Sequence, residues 1–301
     1  MVRISEQDVV RLLPMKEAVR LVREAFLGLA DGSAQNQARR RLVTPQGAML
    51  HQLAGAFGKY LGAKIYSTHV GHGAWFNVLL YDGTTARPLA EIEANHLGQI
   101  RTGAASGVAT DLLARPDASV LGVIGTGFQA ETQIEAIRLV RDIREVRVWS
   151  RSPERREAFA QKVNAHATAT AEEAIRGADI IVTATYAKDP VIENDWVAPG
   201  AHVNAIGSNK PQRRELAAEL VKRAALIAVD AIDQAKVESG DLLLAWRSPE
   251  EWNDPRLVEL AAVAAGRSPG RTSDREITIF KSNGLGVQDI AVGGYVFERY
   301  S

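Results

Sequence analysis

The chain has 301 residues, 46% hydrophobic and 24% charged, the balance of a soluble globular protein whose length allows about two domains. Its 36 Lys and Arg equal its 36 Asp and Glu, so no net field recruits nucleic acid or an anionic membrane surface, and small-molecule chemistry is the better expectation. The absence of cysteine excludes disulfides, thiolate nucleophiles and Cys-ligated zinc, while the six histidines lack ligand spacing, so no metal is expected. With no apolar leader and no apolar run of about eighteen residues, no membrane segment is expected and the cytoplasm is the default compartment.

Ser5 and Asp8 have the spacing of a capping box on a short helix that ends at Pro14. Over residues 15–30, Val19, Val22, Phe26 and Leu29 recur at helical spacing, and Asp31-Gly32 supplies the stop. Arg39, Arg40 and Arg41 follow, a run that also suits a solvated sheet edge. Alternating segments at 49–53, 61–67 and 76–81, a turn at Asp82-Gly83 and a strand over 88–93 describe a sheet-forming first domain. Residues 100–114 read as a helix rich in Gly, Ala and Ser with Arg101 near its start. Burying an unpaired guanidinium costs several kcal/mol, so a bound carboxylate or phosphate is a fair reading of Arg101. Arg115-Pro116-Asp117 ends this helix and marks a domain boundary.

Residues 119–130, Ser-Val-Leu-Gly-Val-Ile-Gly-Thr-Gly-Phe-Gln-Ala, then join an apolar strand to a glycine turn. Gly125 allows the bend, Gly127 lets backbone approach a pyrophosphate, and Ala130 lets helix pack on strand. A helix over 129–143 would present its free N–H groups to the phosphates, and 145–150 makes a second strand. Beyond it, helices at 152–165, 171–178, 213–224 and 254–265 are set among strands at 179–185, 201–206, 225–230 and 277–280, with a last helix to Tyr300. Such alternation argues a parallel, doubly wound α/β sheet, with Thr183, Thr185, Gly207 and Ser208 at strand carboxyl ends, where these sheets bind ligands.

The second strand ends Ser150-Arg151-Ser152, without the carboxylate that would hold the ribose hydroxyls of NAD. Two hydroxyls and a guanidinium suit a 2′-phosphate, which favours NADP(H); if Arg151 is instead a solvated loop residue, NAD(H) is possible too.

Several motifs jointly resemble the ornithine cyclodeaminase and mu-crystallin family over nearly the whole chain. They are Leu61-Gly62-Ala63-Lys64, Leu97-Gly98-Gln99-Ile100-Arg101-Thr102-Gly103, Gly125-Thr126-Gly127-Phe128-Gln129-Ala130, Asn204-Ala205-Ile206-Gly207, Arg214-Glu215-Leu216 and Ile279-Phe280-Lys281-Ser282-Asn283-Gly284-Leu285. The resemblance implies a homodimer with a substrate-binding and dimerisation domain over 1–116 plus 276–301 and a Rossmann dinucleotide-binding domain over 117–275. It also implies NAD(P)-linked chemistry at the C–N bond of a small imino or amino acid. By the same resemblance Lys64 lies beside the reacting atoms, and Arg101 grips the substrate carboxylate. A second carboxylate-binding arginine falls to Arg40 or Arg41, with Arg41 preferred. His51 aligns with a family glutamate and is the second catalytic candidate, placed to replenish the proton that Lys64 gives up, although a histidine alone is more often structural. Asn77, Phe128, Gln129, Thr185, Asn204, Gly207, Arg213 and Ser282 match nucleotide-contacting positions, and Ser150 replaces the family's ribose-binding Asp.

One departure bears on the reaction. Where cyclodeaminases and related alanine dehydrogenases carry an aspartate two residues after the glycine that here is Gly207, this chain has Asn209, and an amide is no general base. The expectation is therefore an NAD(P)H-dependent reductase of ketimines, such as 1-pyrroline-2-carboxylate or 1-piperideine-2-carboxylate. The alternatives are an ornithine cyclodeaminase or alanine-type amino acid dehydrogenase, and a non-catalytic NADPH-binding, crystallin-like protein.

Overall fold

In the computed structural model, which describes residues 1–300, the chain packs as two compact units, residues 1–104 with those from Gly284 onward, and Ala105–Asn283. The first begins with β1 (Val2–Ile4), α1 (Glu6–Leu12) and α2 (Met15–Asp31). Ser5 closes the reciprocal capping box with Asp8 at the start of α1, and α2 stops at left-handed Gly32. The apolar stripe that α2 buries is Met15, Ala18, Leu21, Val22, Ala25 and Phe26. Val19 and Leu29 sit at its margins, half buried.

There follow β2 (Gln35–Asn36), β3 (Arg40–Val43), β4 (Met49–Phe57), β5 (Tyr60–His69), β6 (Gly73–Asp82), β7 (Pro88–Glu93) and α3 (Asn95–Leu113). The sheet runs β1-β7-β6-β5-β4-β2, with β3 also on β4. Side chains alternate across a strand, so the register decides which of them share a face. Leu53, Lys64 and Val78 form one cross-strand row, His51, Tyr66 and Phe76 the next, and Gly55 faces Gly62 on the same side.

The second unit is built from β8 (Val120–Ile124), α4 (Ala130–Arg138), β9 (Glu145–Trp149), α5 (Pro153–Val163), β10 (His166–Ala167), α6 (Ala171–Ile175), β11 (Ile180–Thr183) and β12 (His202–Ala205). It continues with α7 (Ala218–Arg223), β13 (Leu226–Val229), α8 (Ile232–Glu238), α9 (Gly240–Leu243), β14 (Leu257–Glu259), α10 (Leu260–Ala264) and β15 (Thr278–Lys281). Its strand order is β10-β9-β8-β11-β12-β15-β13-β14, parallel throughout, the doubly wound α/β sheet that the alternation predicts. Several predicted helices differ, and the one over 100–114 begins at Asn95 while the one over 171–178 ends at Ile175. The one after the glycine turn ends at Arg138, not 143. Residues 213–217 are not helical, because the N–H groups of Glu215 and Leu216 are captured by the Asp241 carboxylate instead of by helix carbonyls. Residues 257–259 form an edge strand on β13 before α10 begins.

The chain then returns to the first unit as α11 (Gly286–Tyr300), which lies across β4, β5 and β6 and buries every residue from Gly286 to Val296. Glycines set how close it comes. A Cβ on Gly55 would stand 2.6 Å from Val287 Cα, one on Gly286 2.8 Å from the Ala54 carbonyl, and one on Gly62 2.8 Å from Ile290 Cδ1 and nearer still to the Leu79 carbonyl. Gly62→Ala is therefore expected to destabilise the protein by about 2–4 kcal/mol through overpacking against backbone that cannot yield. A urea midpoint unchanged from wild type would show that the helix is free to lift.

Candidate active site

The approach of α11 brings Asp289 over Lys64. Asp289 is fully buried, and its Oδ1 accepts from Lys64 Nζ at 3.1 Å and from Arg101 Nε at 3.1 Å. Arg101 Nη1 also donates to Gln288 Oε1 at 3.2 Å. The Lys64 and Arg101 side chains keep only 5% and 9% of their exposure, so two cations share one carboxylate oxygen out of reach of bulk water. Two more glycines make room for them. A Cβ on Gly98, in the first turns of α3, would collide with the Lys64 ammonium, and one on Gly284 (φ +78°) would stand 2.9 Å from Arg101 Nη2.

Burial is the largest influence on Lys64 and disfavours its charge. Asp289 opposes that, and the positive charges of Arg101 and Arg39 add to it, bringing the ammonium down to about 8. A buried lysine tuned in this way can release and regain a proton near neutral pH. Lys64 Nζ also stands 5.5 Å from the centre of the Phe76 ring. From there Tyr66 stacks on Phe76, and His51 stacks on Tyr66 with centroids 4.1 Å apart, its Nε2 3.1 Å from Thr68 Oγ1.

The register places Arg41 opposite His51. Of the three consecutive arginines it is Arg39 whose charge acts on Lys64, and it donates weakly to the Gly284 carbonyl at 3.5 Å. Asn77 stands opposite Ile65, on the other face of the sheet from Lys64. Asp289 escaped sequence reasoning, although a signal existed: it is a lone carboxylate in the apolar run 285–297, the same oddity that drew attention to Arg101.

In the second unit most of the singled-out residues gather just beyond strand carboxyl ends: Gly125 after β8, Ser150 after β9, Thr185 after β11, Gly207 after β12 and Ser282 after β15. Gly125 has φ +108° and a Cβ there would strike the Ala184 carbonyl, whereas a Cβ on Gly127 would meet nothing within 4 Å. A turn with that open space, followed by α4, whose N-cap residue Gln129 makes no side-chain capping bond, fits a dinucleotide pyrophosphate. Phe128 is exposed beside it.

The other side chains differ in what they can still offer. Thr185 Oγ1 donates to Glu215 and accepts from Ala187 N, and Asn204, buried inside β12, donates to Thr110 Oγ1 and sits 3.3 Å from His202 Nε2. Ser152 Oγ caps α5 and donates to Glu154, while Ser150 Oγ accepts from Thr126. Arg156 Nη1 donates to the Ser150 carbonyl at 3.1 Å, and Arg151 and Arg155 are the exposed cations at this strand end. Arg213 Nη1 donates to the Tyr186 carbonyl, and its guanidinium lies 3.9 Å from the centre of that ring. Among the described residues no group of His, Asp and Glu is placed to hold a metal ion, and no helix is long and apolar enough to cross a membrane.

Because the Asp289 charge raises the Lys64 pKa against the effect of burial, Asp289→Asn should let Lys64 titrate well below 8. The ¹⁵Nζ shift of Lys64 followed through a pH titration of both proteins checks this. An unmoved or raised midpoint in the variant would remove Asp289 from the account.

The sequence matches the ornithine cyclodeaminase/mu-crystallin family over residues 1–301. A Delta(1)-pyrroline-2-carboxylate reductase of Bacillus cereus is 42% identical over 74% of this chain and 70% of that protein. The structure of Thermococcus litoralis Delta(1)-pyrroline-2-carboxylate reductase in complex with NADH and L-proline is 32% identical with a TM-score of 0.92, covering 99% of this chain and 97% of that one. An archaeal alanine dehydrogenase dimer with bound NAD is 35% identical with a TM-score of 0.91, over 98% of this chain and 94% of the other. The chain belongs to the ornithine cyclodeaminase/mu-crystallin family.

Proposed function

We propose that this protein is an NAD(P)H-dependent reductase of 2-imino acids, acting on C–N bonds, with cyclic ketimines such as 1-pyrroline-2-carboxylate or 1-piperideine-2-carboxylate as substrates and proline or pipecolate as products. The observation that carries the reading is the buried cluster of Lys64, Asp289 and Arg101. Arg101, with Nε and Nη1 already committed, keeps Nη2 for a substrate carboxylate. Lys64, at about 8, carries a proton at neutral pH and passes it to the imine nitrogen, which makes the carbon a better hydride acceptor. Bound NAD(P)H supplies the hydride. The imine gains one hydride and one proton, and Lys64 regains its proton from water.

The glycine turn 125–127 and the strand ends around it would hold the cofactor, and Arg151 with Arg155 supports a preference for the 2′-phosphate of NADP(H). The named activities of the similar proteins, two pyrroline-2-carboxylate reductases and an alanine dehydrogenase, support C–N chemistry on a small amino or imino acid. Asn209 argues against the deaminating alternative, since hydrolytic release of ammonia needs a general base that an amide cannot supply. We further propose that the working form is a cytoplasmic homodimer. Support comes from the sheet face opposite α11, where Leu61 is 38% and Trp75 60% exposed.

Two assays test the reading: NADPH oxidation with 1-pyrroline-2-carboxylate, followed by absorbance, and ammonia release from ornithine in the presence of NAD⁺. The first should turn over and the second should not. Robust ammonia release from ornithine would make the protein a cyclodeaminase, and tight NADPH binding without turnover of any imino acid would make it a binding protein. Lys64→Ala should lower kcat by about 10²–10⁴ while leaving NADPH affinity unchanged, whereas Arg101→Ala should act mainly on the imino acid KM. Arg151→Asp should raise the KM for NADPH at least about tenfold more than that for NADH. Equal changes for the two cofactors would move the phosphate site elsewhere.

A further inference from the structure

Among the buried charges of the second unit, Glu215, Asp241 and Lys281 form a cluster with no role assigned so far. Glu215 lies in the non-helical stretch before α7, and its carboxylate takes four donors, one from the end of β11 and three from the turns after β11 and β12. Oε1 accepts from Thr185 N at 2.7 Å and from Thr185 Oγ1 at 2.7 Å. Oε2 accepts from Thr183 Oγ1 at 2.9 Å and from Gly207 N at 2.8 Å. Glu215 is itself held from behind, since Asp241 Oδ1 accepts from the N–H of Glu215 at 2.6 Å and of Leu216 at 2.9 Å. Lys281, at the end of β15, lies 3.0 Å from Asp241 Oδ2 and donates to the Ser208 carbonyl at 2.6 Å.

We propose that Glu215 is a positioning residue for the nicotinamide-bearing half of the cofactor, fixing the turns after β11 and β12 in the arrangement that receives it. The proposal rests on the dinucleotide reading above. In a sheet of this order the pyrophosphate meets the turn after β8 and the adenosine the end of β9, so the ends of β11 and β12 remain for the other half of the ligand. Holding strands together does not call for this device. A buried carboxylate is costly, and apolar packing of similar volume would serve a purely structural end as well or better.

The donors instead specify backbone position. Two of the four are main-chain N–H groups, one on each oxygen, and an N–H cannot turn round to accept. A glutamine at 215 would therefore point its NH₂ at one of them in either orientation. The space is equally specific: a Cβ on Gly207 would run into Thr185 and into Glu215 itself. Burial and the neighbouring Asp241 charge push the Glu215 carboxyl upward, while Lys281 and the Thr185 donors act in the opposite sense.

The test compares two ligands on the whole protein. In Glu215→Gln the Kd for NADPH should rise about tenfold or more, the equivalent of one unmet hydrogen bond at a buried charge. The Kd for adenosine 2′,5′-bisphosphate, which occupies the β8–β9 half, should stay within about twofold, since sites without shared partners vary independently. Thr183→Val, a near-isosteric change inside β11 that removes one donor to Glu215, should shift in the same direction by a few-fold and keeps the test available if Glu215→Gln does not fold. An unchanged NADPH Kd in a folded variant, or equal weakening of NADPH and the adenosine fragment, would overturn the proposal while leaving the dinucleotide reading intact. A wild-type protein that binds neither ligand would overturn both.

Discussion

Two cations of the first unit depend on a single carboxylate oxygen. Lys64 and Arg101 come from a central strand and from a small-residue helix, and both are buried beside one another, an arrangement that is strongly unfavourable without a counter-charge. Asp289 Oδ1 supplies it at 3.1 Å to each. The surrounding glycines follow from that requirement. Gly55, Gly62 and Gly286 let α11 sink far enough for Asp289 to reach, and Gly98 and Gly284 leave the volumes that the ammonium and the guanidinium fill. The fold therefore spends its small residues on placing charge rather than on flexibility.

The second unit solves a different problem with related means. Its parallel sheet delivers glycine turns and hydroxyls to one edge, and its buried charges stand behind those turns instead of among them. Glu215 and Lys281 tie together the ends of strands that are distant in sequence, while Asp241 holds the Glu215 segment out of a helix. In the first unit a carboxylate tunes a lysine; in the second, carboxylates set backbone. Both work because desolvated charges tolerate little displacement.

Much of this was legible in the sequence. The doubly wound sheet followed from the alternation of apolar strands and helices, and the family from motifs that are individually weak but ordered along the chain. Arg101 stood out because charge is rare in its helix, Lys64 only through the family resemblance, and the structure brings both to one carboxylate. Asp289 was visible only as a lone carboxylate in an apolar run; its pairing was not legible, since its partners lie more than a hundred residues away. Residues 213–217 read as helix because propensity carries no record of Asp241, and 257–259 because an edge strand and a helix start share the same apolar spacing. Among the arginines, Arg39 lies outside β3, and its influence on Lys64 depends on a loop path that no periodicity encodes.

The central claim, that Lys64 is the proton donor of an imine reduction and is tuned for that task by burial against Asp289, is tested most directly by the pH dependence of kcat/KM for 1-pyrroline-2-carboxylate. A group that must be protonated to act gives a limb that falls as pH rises through its pKa, so the profile should turn down near 8, and Lys64→Ala should remove that limb along with most of the rate. A wild-type profile that keeps the same downturn in Lys64→Ala, or that stays flat to pH about 10 where an untuned lysine would titrate, would contradict the account.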